Sequence, residues 1–88
     1  MPAKVEPVPG SDHSMEYWSR VELSDSYDRG DRGTSSPRTA VGELIYAVPG
    51  VQAFFMNGYS LRVYRSPAFA WDEITPKIVE ILDGLEIQ

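Results

Sequence analysis

The side chains that could do chemistry in this sequence do not occur at the spacings that catalysis or metal binding needs. The chain has one histidine, His13, and its obvious polar neighbour is Asp12. A metal site or a catalytic base needs several converging partners, so this pair indicates a solvated loop. None of the serines lies in a nucleophile elbow or beside a candidate base, and no glycine-rich phosphate loop is present. We therefore expect no enzymatic activity.

Carboxylates with a regular spacing occur in one polar stretch. Asp25, Asp28 and Asp31 lie three residues apart, but arginines between them would oppose a cation, and a calcium loop needs ligands at alternate positions with a closing glutamate. The tripeptide at 29–31 matches an adhesion signal of some extracellular proteins, which is too short a match to indicate that function. The chain has no cysteine, and this excludes disulfides, thiolate metal sites and cysteine nucleophiles within the 88 residues. We expect no cofactor and no metal site.

Charge and hydropathy exclude further classes of function. The formal net charge is −5, so the basic footprint of a nucleic-acid-binding protein is missing. No apolar run approaches the roughly 20 residues that span a bilayer, and the first residues lack the apolar segment of a signal peptide. These features predict a cytoplasmic protein with no membrane contact.

Alternation and turn residues predict the first half of the fold. Prolines restrict a short first strand around Val5 to an edge of the sheet. Residues 14–23 alternate between apolar and polar side chains, which is typical of a half-buried strand. Residues 24–36 are polar and glycine-containing, and we expect a long mobile loop there.

The second half of the sequence predicts a helix, a hairpin and a second helix. Ser36 and Pro37 are typical of a helix start, and Pro49-Gly50 ends that helix. Asn57-Gly58 between two apolar runs predicts a two-residue hairpin turn. The last helix is predicted from about Trp71 to Asp83, with Gly84 as its C-terminal cap.

The predicted hairpin has two faces of different polarity. In the expected register Phe54 opposes Leu61, and this more apolar face packs on Leu44 and Ile78 of the helices. The inward residues are Phe54, Met56, Leu61 and Val63. The element order is then β-β-α-β-β-α, which predicts one α+β domain over residues 1–88, with a four-stranded antiparallel sheet and two helices on one face.

The other face of that sheet is the candidate site. The residues expected there as a partner-binding surface are Trp18, Arg20, Phe55, Arg62 and Tyr64. Several aromatic side chains with arginines around them resemble the composition of a protein interface. The alternative is that the long loop or the C-terminal tail folds over this face.

The ordered set of motifs resembles the N-terminal domain of Nfu/NifU-type iron–sulfur scaffold proteins, which also occurs alone. The matching pieces are Glu6-Pro7-Val8-Pro9, a strand with Met15 and Tyr17 at apolar positions, Ser36-Pro37, and the segments at 44–51, 54–56, 61–65 and 71–76. In two-domain members of that family a second domain holds the cluster through a Cys-x-x-Cys pair, and this chain has no cysteine.

The resemblance implies a small interaction module in iron–sulfur cluster assembly or delivery. Its partner would be a cysteine-bearing scaffold or carrier that holds the metal. Two alternatives stay open at this point: a regulatory domain that binds a small molecule or metal ion, and a structural remnant without a separate activity.

Overall fold

The protein folds as an α+β domain with one antiparallel sheet of five strands and two helices, here seen in a computed structural model that describes residues 4–7 and 12–85. The strands are β1 (Lys4–Pro7), β2 (Ser14–Trp18), β3 (Ser24–Asp31), β4 (Val51–Gly58) and β5 (Ser60–Arg65), and the helices are α1 (Ala40–Tyr46) and α2 (Trp71–Leu85). The spatial order of the strands is β1-β2-β5-β4-β3. The α+β class is confirmed, whereas the four-stranded sheet and the order β-β-α-β-β-α are wrong.

The additional strand, β3, occupies most of the stretch that was expected to be a mobile loop at 24–36. Its inward positions are polar or small, since Asp28 pairs with Met56 and Gly30 pairs with Phe54. A side chain at Gly30 would not fit, because its Cβ would lie 2.8 Å from the Phe54 ring. The strand therefore has no apolar alternation, and its pairing with β4 holds it in place. The tripeptide at 29–31 lies in this strand.

Strand β2 is shorter than the predicted strand at 14–23. It ends at Trp18, and the chain then follows the hairpin tip through backbone hydrogen bonds. The Ser19 amide donates to the Tyr59 carbonyl at 2.8 Å, and the Leu23 amide donates to the Gly58 carbonyl at 2.7 Å. Leu23 is buried. The apolar alternation beyond Trp18 therefore reflects burial, although residues 19–23 do not belong to a strand.

The predicted start of α2 at Trp71 is confirmed, whereas α1 starts later than predicted and α2 ends later. Thr39 caps α1, and its Oγ1 accepts a hydrogen bond from the Gly42 amide at 2.9 Å, three residues after the expected start at Ser36. At the start of α2 the Glu73 carboxylate accepts a hydrogen bond from the Ala70 amide at 2.8 Å. Gly84 lies within α2 without a positive φ, so it is not the left-handed cap that was predicted.

The β4–β5 hairpin turns one residue later than expected. Asn57 pairs with Ser60, so the central residues of the turn are Gly58 and Tyr59. Gly58 has φ 60°, and a glycine at the first central position is typical of a type II′ turn. Phe54 consequently opposes Val63 and not Leu61. This change preserves the alternation of the two faces.

The core lies between the inner face of the sheet and the two helices. Its fully buried members include Tyr17, Ile45, Phe54, Met56, Leu61, Val63, Ile74, Ile78 and Leu82. The predicted inward facing of the hairpin is therefore confirmed. Leu44, however, is exposed, because Gly42 and Ile45 are the buried positions of α1 and Leu44 lies about 100° round the helix from Ile45. Phe54 packs edge-on against Tyr46, with ring centroids 6.1 Å apart.

Candidate functional site

The side of the sheet away from the helices, here called the outer face, carries aromatic, charged and polar side chains, exposed or half-buried, from four adjacent strands. In spatial order across the sheet they are Glu16 and Trp18 of β2, Ser60, Arg62 and Tyr64 of β5, Phe55 of β4, and Tyr27 and Arg29 of β3. Side chains alternate between the two faces along each strand, and paired residues on neighbouring strands point to the same face. These residues therefore lie together. Trp18 opposes Ser60, and Phe55 opposes Arg62.

Three of the five predicted site residues meet in one depression of the outer face. Phe55, Arg62 and Tyr64 line a hollow of about 300 Å³ together with Glu16 and Ser60. Trp18 flanks this hollow through its pairing with Ser60. The aromatic rings here are accessible, with exposed fractions of 42% for Phe55, 38% for Tyr64 and 41% for Trp18.

The fifth predicted residue, Arg20, does not lie on a strand of the sheet. It was expected on the same face as Trp18 because the strand was predicted to continue to residue 23. The strand ends at Trp18, so Arg20 lies in the connection between β2 and β3. The alternation that places Arg20 beside Trp18 therefore does not apply to it.

An ion pair fixes the charges at the centre of the outer face. Arg62 donates a hydrogen bond from its guanidinium to the Glu16 carboxylate at 2.8 Å. The Glu16 carboxylate, followed by the side chain of Tyr64, raises the pKa of Arg62. The guanidinium therefore stays charged, and the pair holds both side chains across the β2–β5 boundary.

Strand β3 adds residues that the sequence interpretation missed. The Tyr27 ring stacks on Phe55 with centroids 5.8 Å apart and an interplanar angle of 21°. The Arg38 guanidinium lies 5.9 Å from the centroid of the Tyr27 ring. A second hollow of about 190 Å³ adjoins the first, and Arg29 and Tyr64 line it with Phe55. Tyr27, Arg29 and Asp31 occur at every second position, which is the spacing of one face of a strand. The polar composition of 24–36 favoured the interpretation as a loop instead.

Asp28 positions β3 against the start of α1. Its carboxylate is fully buried and accepts hydrogen bonds from the amides of Arg29, Arg38 and Thr39 and from the Thr39 hydroxyl, at 2.6–3.0 Å. Burial alone would raise the pKa of this carboxyl, but the hydrogen bonds from Thr39, Arg38 and Arg29 outweigh it and hold the pKa below its ordinary value. These hydrogen bonds compensate the buried charge, and they hold strand β3 against the start of α1.

The outward edge of β3 is partly covered by the segment that follows it. The Arg38 guanidinium donates to the Tyr27 carbonyl, and the Arg29 amide donates to the Asp28 carboxylate. The Asp31 amide donates to the Ser35 carbonyl at 3.0 Å. These contacts occupy edge groups that could otherwise pair with a strand from another chain.

Other polar groups of the structure serve the fold. Arg32 donates to the Tyr46 carbonyl at 2.7 Å and to the Val51 carbonyl at 2.9 Å, and its guanidinium lies 4.4 Å from the centre of the Tyr46 ring. The carbonyl of Asp12 accepts hydrogen bonds from Arg65 Nε and Trp71 Nε1, both at 2.9 Å. The segment beside His13 therefore ties the β2 end of the sheet to α2.

Side-chain clusters suited to a metal ion and helices able to span a membrane are both absent from the described residues. No group of three or more histidine, cysteine or acidic side chains that could hold a metal ion occurs within 4–7 and 12–85. Across the same ranges, neither helix combines the length and the apolar character needed to cross a membrane.

Comparisons with known proteins give a match at the level of structure only. No protein-family model matches the chain, and no curated protein matches its sequence. The solution structure of a NifU-like protein from Saccharomyces cerevisiae is similar with a TM-score of 0.70 and 18% identity, covering 98% of this chain and 79% of that one. The crystal structure of protein SAV1430 from Staphylococcus aureus is similar with a TM-score of 0.68 and 18% identity, covering 92% of this chain and 98% of that one. The chain therefore has a NifU-like fold.

Proposed function

We propose that this domain is a non-enzymatic protein-interaction module of iron–sulfur cluster assembly or delivery. Its outer face contacts a partner protein, and that partner holds the cluster. The residues that make the contact are Trp18, Phe55, Arg62 and Tyr64.

The observation that supports this proposal is the exposed aromatic cluster on the outer face. Trp18, Phe55 and Tyr64 come from three strands and point to the same side of the sheet. Large rigid rings give much contact area for little loss of side-chain freedom, which is why aromatic residues are frequent in interface centres. The stretch at 24–31 does not cover this face as a loop, because it forms edge strand β3, from which only the Tyr27 ring contacts Phe55 among the described ring pairs.

The link to iron–sulfur clusters has two supports. The fold is that of a NifU-like protein, and the motif order of the sequence resembles the N-terminal domain of Nfu/NifU-type scaffolds. The 88 residues contain no cysteine, so thiolate ligands for a cluster would have to come from outside them. A role beside a cysteine-bearing scaffold or carrier is consistent with both points.

A regulatory small-molecule site agrees less well with the outer face. The hollow beside Phe55 has a volume of about 300 Å³, at the lower end of the range of ligand pockets, roughly 300–1,000 Å³. Its charged groups, Arg62 and Glu16, already satisfy each other. A broad, shallow surface with exposed rings is better suited to another protein.

The test is a calorimetric titration with a purified NifU-type scaffold domain that carries a Cys-x-x-Cys pair, both with and without its cluster. Trp18→Ser should weaken binding about 30-fold or more, the scale of an interface anchor of about 2 kcal/mol. It should leave the melting temperature nearly unchanged, because Trp18 is 41% exposed and lies outside the core.

Leu44→Ser is the matched control for this titration. Leu44 is an exposed apolar residue of α1, away from the outer face, so its change should leave affinity within about twofold of wild type. Wild-type protein that fails to bind either form of the scaffold domain would refute the proposal. So would an unchanged affinity of Trp18→Ser.

A further inference from the structure

The hairpin between β4 and β5 contains the only asparagine of the 88 residues, Asn57, and a glycine follows it. The Asn57 side chain is exposed. Ser60 Oγ donates a hydrogen bond to the backbone carbonyl of Asn57 at 3.1 Å, but among the contacts of residues 4–7 and 12–85 the Asn57 carboxamide has no hydrogen-bond partner. The carboxamide carbon, Cγ, is therefore accessible to a nucleophile nearby.

The nucleophile next to this carbon is the backbone nitrogen of Gly58. Glycine has no side chain that would hinder the approach of its nitrogen to the preceding residue. Gly58 is the first central residue of the two-residue turn and has φ 60°. The hydrogen bonds of such a turn join the residues that flank its centre, so strand β5 does not hold the Gly58 amide.

The strand pairing around Asn57 is irregular on its other side. Tyr27 pairs with Asn57 and Ser24 pairs with Gly58, so the register of β3 shifts at this step. A bulge of this kind leaves residues of one strand unpaired and disrupts the ladder locally. Exposed ends of hairpins open at a small part of the free energy of global unfolding. Such an opening lets Asn57 leave its extended conformation, as the attack by the Gly58 nitrogen requires.

We infer that Asn57-Gly58 is a site of spontaneous deamidation whose isoaspartate product alters the outer face. Asparagine is one of the thermolabile residues of proteins. The Gly58 nitrogen bonds to Asn57 Cγ and loses its proton to water, while the Cγ–Nδ2 bond breaks and ammonia leaves. Water then opens the five-membered imide. Cleavage between the Gly58 nitrogen and Cγ gives aspartate, and cleavage between this nitrogen and the backbone carbonyl carbon of residue 57 gives isoaspartate.

The modified residue belongs to a row of paired residues that crosses the outer face. Trp18 pairs with Ser60, Ser60 with Asn57, and Asn57 with Tyr27. Both products add a negative charge to this row, and isoaspartate also lengthens the backbone of β4 by one carbon atom. The longer backbone does not fit the pairing with Ser60 and Tyr27, so the positions of Tyr27 and Trp18 change. Any loss of docking that follows rests on the proposed function, whereas the deamidation does not.

The first test follows wild type and Asn57→Gln during incubation at mildly alkaline pH, by peptide mass mapping and by enzymatic methylation specific for isoaspartate. Wild type should gain the mass of an amide-to-acid conversion at residue 57 and accept methyl groups there. Asn57→Gln should do neither, because its longer side chain would have to close a six-membered ring. Asp83-Gly84 is an internal control that should accept no methyl groups, because both residues lie in α2, where helical hydrogen bonds fix the backbone. Wild type that keeps its amide at residue 57 overturns the inference.

The second test uses the isoaspartate fraction of incubated wild type. Its amide NMR shifts should differ from those of fresh protein at Trp18 and Tyr27, and unchanged shifts at both residues overturn the effect on the outer face. The same fraction should bind the NifU-type scaffold domain about tenfold more weakly than fresh protein, whereas incubated Asn57→Gln should stay within about twofold. Equal affinity of the fresh and isoaspartate forms overturns the link to docking. Fresh protein that does not bind refutes the proposed function alone, because the mass and NMR measurements need no partner.

Discussion

Gly42→Ala should destabilise the domain, although alanine is the better helix former. Gly42 lies in the first turn of α1, where its missing side chain leaves room for the buried Asp28 carboxylate. A Cβ at this position would lie 2.2 Å from Asp28 Oδ2 and 3.0 Å from both the Phe54 ring and the Thr39 hydroxyl oxygen. Real Cβ contacts essentially never fall under 3.0 Å, so the carboxylate and the helix must move apart by about 1 Å.

The magnitude follows from what holds the carboxylate in place. Asp28 accepts hydrogen bonds from three backbone amides and the Thr39 hydroxyl, and a displacement of about 1 Å breaks or strains at least two of these. Hydrogen bonds to a charged group contribute about 1.5–3 kcal/mol each, and the gain in helix propensity is at most about 1 kcal/mol. We expect a net loss of about 2–4 kcal/mol in the free energy of unfolding.

The assay is chemical denaturation of Gly42→Ala, Asp28→Ala and the double variant, with Gly84→Ala as a control. Gly84 lies in α2 with open space where a Cβ would be placed, so the same substitution there should leave stability unchanged or raise it by up to about 1 kcal/mol. The double variant should lose less than the sum of the single losses, because the carboxylate that clashes is gone. Additive losses, or a Gly42→Ala variant as stable as wild type, would refute this explanation of the α1–β3 junction.

Three further predictions follow from the core and from the composition. Phe54→Ala should cost about 3–5 kcal/mol in denaturant unfolding, since the ring is buried against Tyr46, and a cost under about 1 kcal/mol would contradict the observed packing. Burial raises the pKa of Tyr17 by more than its hydrogen bond to Thr75 lowers it. The neutral phenol therefore stabilises the fold below about pH 10, the ordinary pKa of tyrosine. This stabilisation is lost as the pH rises towards the pKa of Tyr17 in the folded state. Tyr17→Phe should flatten that alkaline loss in pH-dependent melting, and an unchanged slope would show that another group causes it. Purified protein, reconstituted with iron and sulfide, should stay colourless, and near-equimolar iron with a stable charge-transfer band would contradict the absence of thiolate ligands.

The parts of the fold that were predictable from the sequence are those in which side-chain polarity decides the structure. The hairpin alternates strongly, so its inward residues were predicted correctly even though its turn lies one residue later. A shift of the turn by one residue moves the pairing by two, which leaves each side chain on its original face. For the same reason Phe55 and Tyr64 were placed correctly on the outer face, and the alternation of residues 14–18 placed Trp18 there.

The parts that the sequence did not reveal depend on pairing and on buried polar groups. Strand β3 has Asp28 and Gly30 at its inward positions, and neither residue type favours a strand. Its stability comes from the β4 ladder and from the Asp28 hydrogen bonds to the start of α1, and both are long-range contacts with no local pattern. Tyr27 and Arg29 were consequently missed as members of the outer face, while Arg20 was assigned to it through a strand that ends two residues earlier.

The most direct test of the proposed docking role is an amide NMR titration of the ¹⁵N-labelled domain with the cysteine-bearing NifU-type scaffold domain. The largest shift changes should occur in the strands that carry Phe55, Arg62 and Tyr64, and they should extend to Tyr27 on β3. Amides around Lys77 on the exposed side of α2 should change little. Shift changes centred on α2, or none at a saturating concentration of the scaffold domain, would contradict the assignment of the outer face as the docking surface.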